Sequence, residues 1–195
     1  MACKPYQISA ITTSCGSNIP SIKRMWIGAF DSATWTVANV TGVTDADGNP
    51  VIEKVTAATL KCNEDAWVEF AFRKNTCSAS SEMTLNDNGS HYFTNSLNMV
   101  FAKQDASKRL SIQALASGDC ACIYLDGNNN YWLIGYDSAV SLASASATTG
   151  TSVSDSNQYE LTLSEESGIL PIPVIATADF DTSILTPLQT ETTCQ

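Results

Sequence analysis

The sequence predicts a mainly β protein, an antiparallel β-sandwich or barrel with one flanking α-helix, extended terminal arms and an extended loop. Three observations predict it. Short segments rich in β-branched and aromatic residues recur along the chain. Clusters of Gly, Asn, Asp and Ser separate them at intervals suited to antiparallel strands. One segment alone carries helix-capping signals at both ends. A chain of 195 residues is long enough for one well-buried core and short for two ordinary domains. The expected organisation is an N-terminal arm over 1–21, a β-sandwich domain over 22–167 and a C-terminal arm over 168–195.

In chain order, strands are predicted over 23–30, 51–56, 66–74, 91–101, 120–125, 131–136 and 159–164. Within the third, Val68, Phe70 and Phe72 share one face while Trp67, Glu69, Ala71 and Arg73 share the other, because side chains alternate across a strand. The first face reads as core. The second, with a Trp beside charges, fits either a surface that meets a partner chain or a Trp partly covered within the monomer. Asp126-Gly127-Asn128-Asn129-Asn130 lies between two β-rich runs and predicts a hairpin, since these residues tolerate left-handed backbone. Asp45-Ala46-Asp47-Gly48-Asn49-Pro50 predicts a second turn joining two strands. The single helix is expected over 106–117, with Asp105 as N-cap and Gly118 closing it. Leu110, Ile112 and Ala114 also alternate as a strand would, and the propensity of Ala114, Leu115 and Ala116 favours the helix. Irregular structure is expected over 141–158, with some strand in its first half, and over 168–195, which holds Pro171, Pro173 and Pro187.

Charge excludes one class of function. Twenty acidic and ten basic side chains leave a net charge of −10, and the only paired cations are Lys23-Arg24, Arg73-Lys74 and Lys108-Arg109. Proteins that grip phosphates do so with basic side chains that release counterions. This composition therefore argues against a reader of DNA sequence, and it suits a conduit through which DNA slides without sticking. No run has the apolar length of a signal peptide or a membrane span, so a soluble cytoplasmic product without a membrane partner is expected. Seven cysteines, an odd number without a secretory signal, are expected to be reduced.

Catalytic signatures are equally sparse. His91 is the only histidine, which rules out a multi-histidine metal site within one chain, and no G-x-S-x-G elbow accompanies it. Asp126, Asn128, Asn130 and Asp137 approach the spacing of a calcium loop, but Tyr131 stands where that loop needs glycine. Cys120 and Cys122 share a strand face without a second pair to complete a zinc site, and read as small core side chains. Glu64-Asp65 and Glu165-Glu166 are sequence neighbours that point to opposite faces of a strand and cannot flank one glycosidic bond. Neither a Walker loop nor a dinucleotide fingerprint occurs. No catalytic, cofactor-binding or metal-ligating residue is predicted, and the chain is not expected to be an enzyme.

One stretch carries a family likeness. It runs from Tyr124 through Asp126-Gly-Asn-Asn-Asn-Tyr-Trp-Leu-Ile-Gly-Tyr-Asp137, a Ser/Ala/Thr run, Thr149-Gly150-Thr151 and Asp155-Ser-Asn-Gln-Tyr159 to Leu161-Thr-Leu163. With Ile22-Lys-Arg-Met-Trp-Ile-Gly-Ala-Phe30, Val68-Glu-Phe-Ala-Phe-Arg-Lys-Asn75, Leu97-Asn-Met-Val-Phe101, Lys108-Arg-Leu110 and Gln113-Ala-Leu-Ala116 upstream and in order, it resembles the bacteriophage tail tube protein family. The resemblance implies a virion protein assembled in the bacterial cytoplasm, whose copies join side by side into a hexamer or dodecamer ring. The rings would stack through terminal arms and an extended loop, contact adjacent tail or neck proteins, and conduct genomic DNA without binding it specifically. Six copies at −10 would bring about −60 to such a ring, part of it facing the DNA. A ring or neck protein of a short-tailed crAss-like phage is the alternative within this class. The alternative outside it is a carbohydrate-binding β-sandwich, with Tyr131, Trp132 and Tyr136 stacking on sugar rings from one exposed patch.

Overall fold

The protein is described from a computed structural model, which describes residues 11, 18–44, 49–60, 67–73 and 75–175. It is mainly β, and the described residues form two sheets and one helix in a sandwich-like arrangement, as the sequence predicts. The strands are β1 (Ile22–Ala29), β2 (Ala33–Thr44), β3 (Pro50–Leu60), β4 (Val68–Ala71), β5 (Cys77–Leu85), β6 (His91–Ala102), β7 (Cys120–Asp126), β8 (Tyr131–Ile134), β9 (Ser141–Thr148), β10 (Gln158–Ser167) and β11 (Ile172–Val174). The helix, α1, spans Ala106–Ser117. One sheet has the order β2-β3-β11-β8-β7-β1-β4, the other β5-β6-β10-β9.

Strand β7 shows why the core has two parts. From Cys120 to Leu125 every residue is buried, so both faces of this central strand are covered. Cys120, Cys122 and Tyr124 point between the two sheets, where Met25, Leu97, Met99, Ile134, Leu161 and Leu163 meet them. Ile123 and Leu125 point the other way, into a second cluster with Trp26, Val55, Leu133, Ile172 and Val174. The cover on that far side comes from the same seven-stranded sheet. β2 and β4 are its opposite ends in strand order, yet Trp35 on β2 and Trp67 just before β4 lie with ring centroids 5.9 Å apart. The sheet has therefore curled until its ends approach, in the manner of a barrel wall. Gly28 is what lets Trp67 in: a Cβ there would stand 2.9 Å from the indole ring.

The structure revises several expectations. Trp67 packs within the chain, against Gly28 and Trp35, so the covered-Trp reading of its face holds. On the other face Phe70 and Phe72 join the inter-sheet core, but Val68 is 55% exposed, because β4 is an edge and its first residue overhangs. The strand expected over 66–74 shortens to Val68–Ala71. Strands β2, β5 and β11 were not predicted, while β9 fills the first half of 141–158, where some strand was expected. β2 continues the chain directly from β1, β5 and β9 lack β-branched enrichment, and β11 is three residues long with Pro173 inside it. That last strand sits between β3 and β8, pairing Val174 with both Val55 and Tyr131, so the sheet runs past the boundary drawn at 167/168. The turn at 45–50 joins β2 to β3, as the pairing of Thr44 with Pro50 requires, although residues 45–48 lie outside the described part.

Helix α1 has the expected bounds, and Asp105 caps it by accepting the Lys108 amide at 2.9 Å. Its carboxyl is held well below the usual range by that amide and by the Lys108 and Ser107 side chains. Gly118 ends the helix in extended backbone, φ −136°, and not in the left-handed conformation that makes glycine special. Ile112 and Leu115 pack on the inter-sheet core while the rest of the helix faces outward.

Candidate assembly surfaces

The four-stranded sheet presents an unusual outer face. Its inward residues are Leu97 and Met99 of β6, Leu161 and Leu163 of β10 and Cys77 of β5, so their neighbours in sequence point out. Pairing places those outward residues in rows. Glu82, Thr94 and Glu166 form one; Ser80, Ser96, Ser164 and Ser141 the next; Ser78, Asn98, Thr162 and Ser144 the third; Val100, Glu160 and Ser146 the fourth. Within the third row the Thr162 hydroxyl donates to Asn98 Oδ1 at 2.9 Å. No Lys or Arg occurs on these four strands, on the 86–90 turn or on the 149–157 connection, which together hold Glu82, Asp87, Asp155, Glu160, Glu165 and Glu166. The face is hydroxyl-rich and anionic, and the field just above it repels other anions.

Neither edge of this sheet pairs with a further strand among the described residues, and α1 packs beside β9. Among the described residues β5 pairs only with β6 and β9 only with β10, so each leaves an outer row of backbone amides and carbonyls without a strand partner, the Cys77 carbonyl accepting the Ser21 hydroxyl at 3.2 Å. Strand β5 is exposed from Ser78 onward, and Met83 and Leu85, on its core-facing side, are 61% and 67% exposed. The end of the β5–β6 hairpin therefore overhangs the seven-stranded sheet. On β9, Ala145 and Ala147 are likewise exposed. An apolar cleft of about 320 Å³ lies between α1 and the β4 edge, lined by Ile27, Val68, Phe70, Ala114 and Leu115 among others.

A buried polar link joins the sheets at one end. Glu165 of β10, 5% exposed, accepts Asn95 Nδ2 at 2.8 Å and the Gly135 amide at 2.6 Å. Burial pushes its pKa up, and the nearby Asp137 adds to this, while the two hydrogen bonds pull the other way without cancelling it. Asn95 Nδ2 also reaches the Ile169 carbonyl at 3.3 Å, and Asn95 Oδ1 has no partner among the described residues. Beside this link Asp137 accepts the Ser167 hydroxyl at 2.7 Å and the Gly168 amide at 3.0 Å, tying the end of β10 to the loop after β8.

The β7–β8 turn is the predicted one, with Asn129 in the left-handed region at φ 67°. Asp126 accepts the Asn128 and Asn130 amides and Trp132 Nε1, at 2.8, 2.8 and 3.1 Å. Partial burial would raise its pKa, but these bonds outweigh it and hold the carboxyl below the usual range. Its oxygens are thus spent on the turn, which also grips the chain before β1. Asn128 accepts the Ile19 amide at 2.8 Å and donates to Asn18 Oδ1 at 2.9 Å, and Lys23 Nζ reaches Asn129 Oδ1 at 2.6 Å. Sequence reading found the turn and missed this clamp, which links residues more than 100 positions apart.

The other singled-out residues disperse. His91 begins β6, exposed, edge-on to Phe93 at 6.0 Å. Cys120 and Cys122 are buried with sulfurs 3.9 Å apart, Cys77 is buried in the same core, and among the described residues no three His, Cys, Asp or Glu side chains converge on a metal-sized site. Glu165 and Glu166 do face opposite ways, one buried and one exposed. Glu64 and Asp65 lie outside the described residues. Tyr131 packs on Trp26 in the second core and Tyr136 joins it there, whereas Trp132 packs toward the inter-sheet core. These three aromatics do not form one exposed platform. Among the described residues no helix is long and apolar enough to cross a membrane. In comparisons with known proteins the chain matches no family model, no curated protein and no solved structure.

Proposed function

We propose that this chain is a structural protein of a phage virion, forming stacked rings of a tail tube through which DNA passes. The observation that carries the reading is the four-stranded sheet: four strands without Lys or Arg, whose two edges pair with no further strand among the described residues. Open edges in an isolated monomer invite uncontrolled pairing, and a closed ring of identical copies removes them. The strand count favours closure. Successive strands in the order β5-β6-β10-β9 are antiparallel, so β5 and β9 run in opposite directions. When copies are related by rotation about an axis along the strands, β5 of one meets β9 of the next in the same antiparallel sense, and the sheet continues round the pore.

In that ring the Ser, Thr, Asn and Glu side chains of the outer face line the lumen. Phosphates are repelled, no Lys or Arg on these four strands holds them, and the hydroxyls keep the wall wet, so DNA slides. A ring or neck protein of a short-tailed phage would use the same wall. The carbohydrate-binding reading is the weaker one, because its aromatic residues are divided between two faces of the seven-stranded sheet.

Negative-stain microscopy of the purified chain over a concentration series tests the proposal. Rings or tubes with a central hole are expected at high concentration. A monomer in sedimentation at every concentration would sink it.

A further inference from the structure

Most described cations in this anionic protein are engaged. Arg24 grips Glu69 through two bonds, at 2.5 and 2.9 Å, Lys54 lies 3.8 Å from Glu53, and Lys23 reaches Asn129. Lys108 Nζ is saturated by the Ala102 and Lys103 carbonyls and by Asp105, at 2.9, 2.8 and 3.0 Å. Among the described residues, the side chains of Arg73, Lys103 and Arg109 make no such contact. Two of these three, Arg73 and Lys103, line one cleft of about 310 Å³ with Lys108, beside Val100, Phe101 and Ala102. Unpaired positive charge is thus gathered in one place, next to the sheet that has none.

The position of the cleft in the sheet matters. The chain ahead of β5 runs on alongside β6, with the Val100 amide donating to the Thr76 carbonyl at 2.9 Å, so Arg73 stands at the β5 corner. Cys77, Met99, Leu161 and Ala145 form one row across the sheet, which fixes which end of β9 shares this level. That end is Thr148, where β9 passes into the 149–157 connection to β10, with Asp155 in the connection and Glu160 just inside β10. Asp155 stays ionised far into acid, because the Thr151 and Ser152 amides and side chains hold its pKa to about 2. Among the described residues Glu160 accepts only the Gln158 side-chain amide, at 2.6 Å.

We infer that Arg73, at the β5 corner, receives the acidic β9–β10 connection of a second copy, with Asp155 and Glu160 as its carboxylates; Lys103 lies against this connection in its own copy, its amide donating to the Asn157 carbonyl at 2.7 Å. The inference rests on the ring reading and adds the register of the junction. Rotation about the pore keeps every copy the same way up, so the β5 corner of one copy meets the β9 corner of the next at the same level. Opposite charges there favour this pairing and disfavour β5 against β5, which would set cation against cation.

The test is a charge swap in the full chain, read as the concentration at the midpoint of assembly. Arg73→Glu alone and Glu160→Arg alone are each expected to raise that concentration about tenfold or more, a change of about 1.4 kcal/mol. The two together are expected to restore it to within about threefold of the original. Near-UV circular dichroism establishes that each variant is folded, and Arg73→Gln replaces Arg73→Glu if the reversal does not fold. Rings that form normally with either single reversal, or a combined variant no better than the singles, overturn the junction while leaving the ring intact. A wild-type chain that never assembles overturns both.

Discussion

Replacing Glu165 by leucine tests whether the buried link between the sheets is a structural clamp. The substitution removes the acceptor of the buried Gly135 amide at 2.6 Å and of one Asn95 Nδ2 hydrogen at 2.8 Å, the other reaching the Ile169 carbonyl at 3.3 Å. A buried donor left without a partner costs about 1–3 kcal/mol, and relief from burying a carboxylate offsets part of two such losses. The expected net loss is about 2–4 kcal/mol, which lowers the urea midpoint by about 1–2 M at a slope near 2 kcal/mol/M. Glu165→Gln should cost less than about 1 kcal/mol, since its oxygen can still accept from Gly135 and its amide can turn to Asn95 Oδ1, which has no partner among the described residues.

The pH dependence adds an independent sign. Because burial raises the Glu165 pKa, the folded chain keeps a proton that the unfolded chain has released just above the ordinary carboxylate pKa. The contribution of this group to stability is therefore greatest below that ordinary value and is lost as pH rises through the raised one. The Gln variant has no proton to lose, so its stability relative to wild type should climb with pH across that window. Urea melts at a series of pH values measure both effects. A Leu variant whose midpoint moves by less than about 0.3 M, or a Gln variant whose relative stability falls with pH, would refute the clamp.

Two further outcomes follow from the same geometry. A Cβ on Gly127 would stand 2.8 Å from the Ile19 carbonyl carbon and 2.9 Å from the Pro20 oxygen, backbone atoms that cannot swing away. Gly127→Ala should cost about 1–3 kcal/mol in a thermal or urea melt and speed limited proteolysis around 18–20; unchanged cleavage there would show that the turn does not hold this segment. Cys77, Cys120 and Cys122 are buried, and burial pushes the Cys77 thiol up to about 12. Peptide mapping after maleimide treatment should find these three unlabelled in the native protein and labelled in denaturant, and rapid native labelling would contradict the packing.

How much of this was legible depends on where each element gets its stability. β1, β6, β7, β8 and β10 announce themselves through β-branched and aromatic residues, and α1 through Asp105, because burial and capping write themselves into local composition. β5 and β9 are Ser- and Ala-rich edge strands whose register comes from β6 and β10, partners that local propensity does not reveal. β11 is a three-residue strand held between β3 and β8, and its prolines made the segment read as an arm. The covered side of Trp67 required the sheet to curl, a property of all seven strands together.

Local preferences and composition suffice for the fold class, helix α1, the β7–β8 hairpin and an excess of negative charge. Those follow from short-range preferences and from composition, which need no partner in space. Where the charge went depends on pairing in space: strand register aligned Glu82, Glu160 and Glu166 with Ser, Thr and Asn on one face, buried Glu165 behind it, and brought Arg73 and Lys103 to one cleft. The physical reason is that a strand sets only the alternation of its side chains, while backbone pairing between distant segments decides which side chains share a surface.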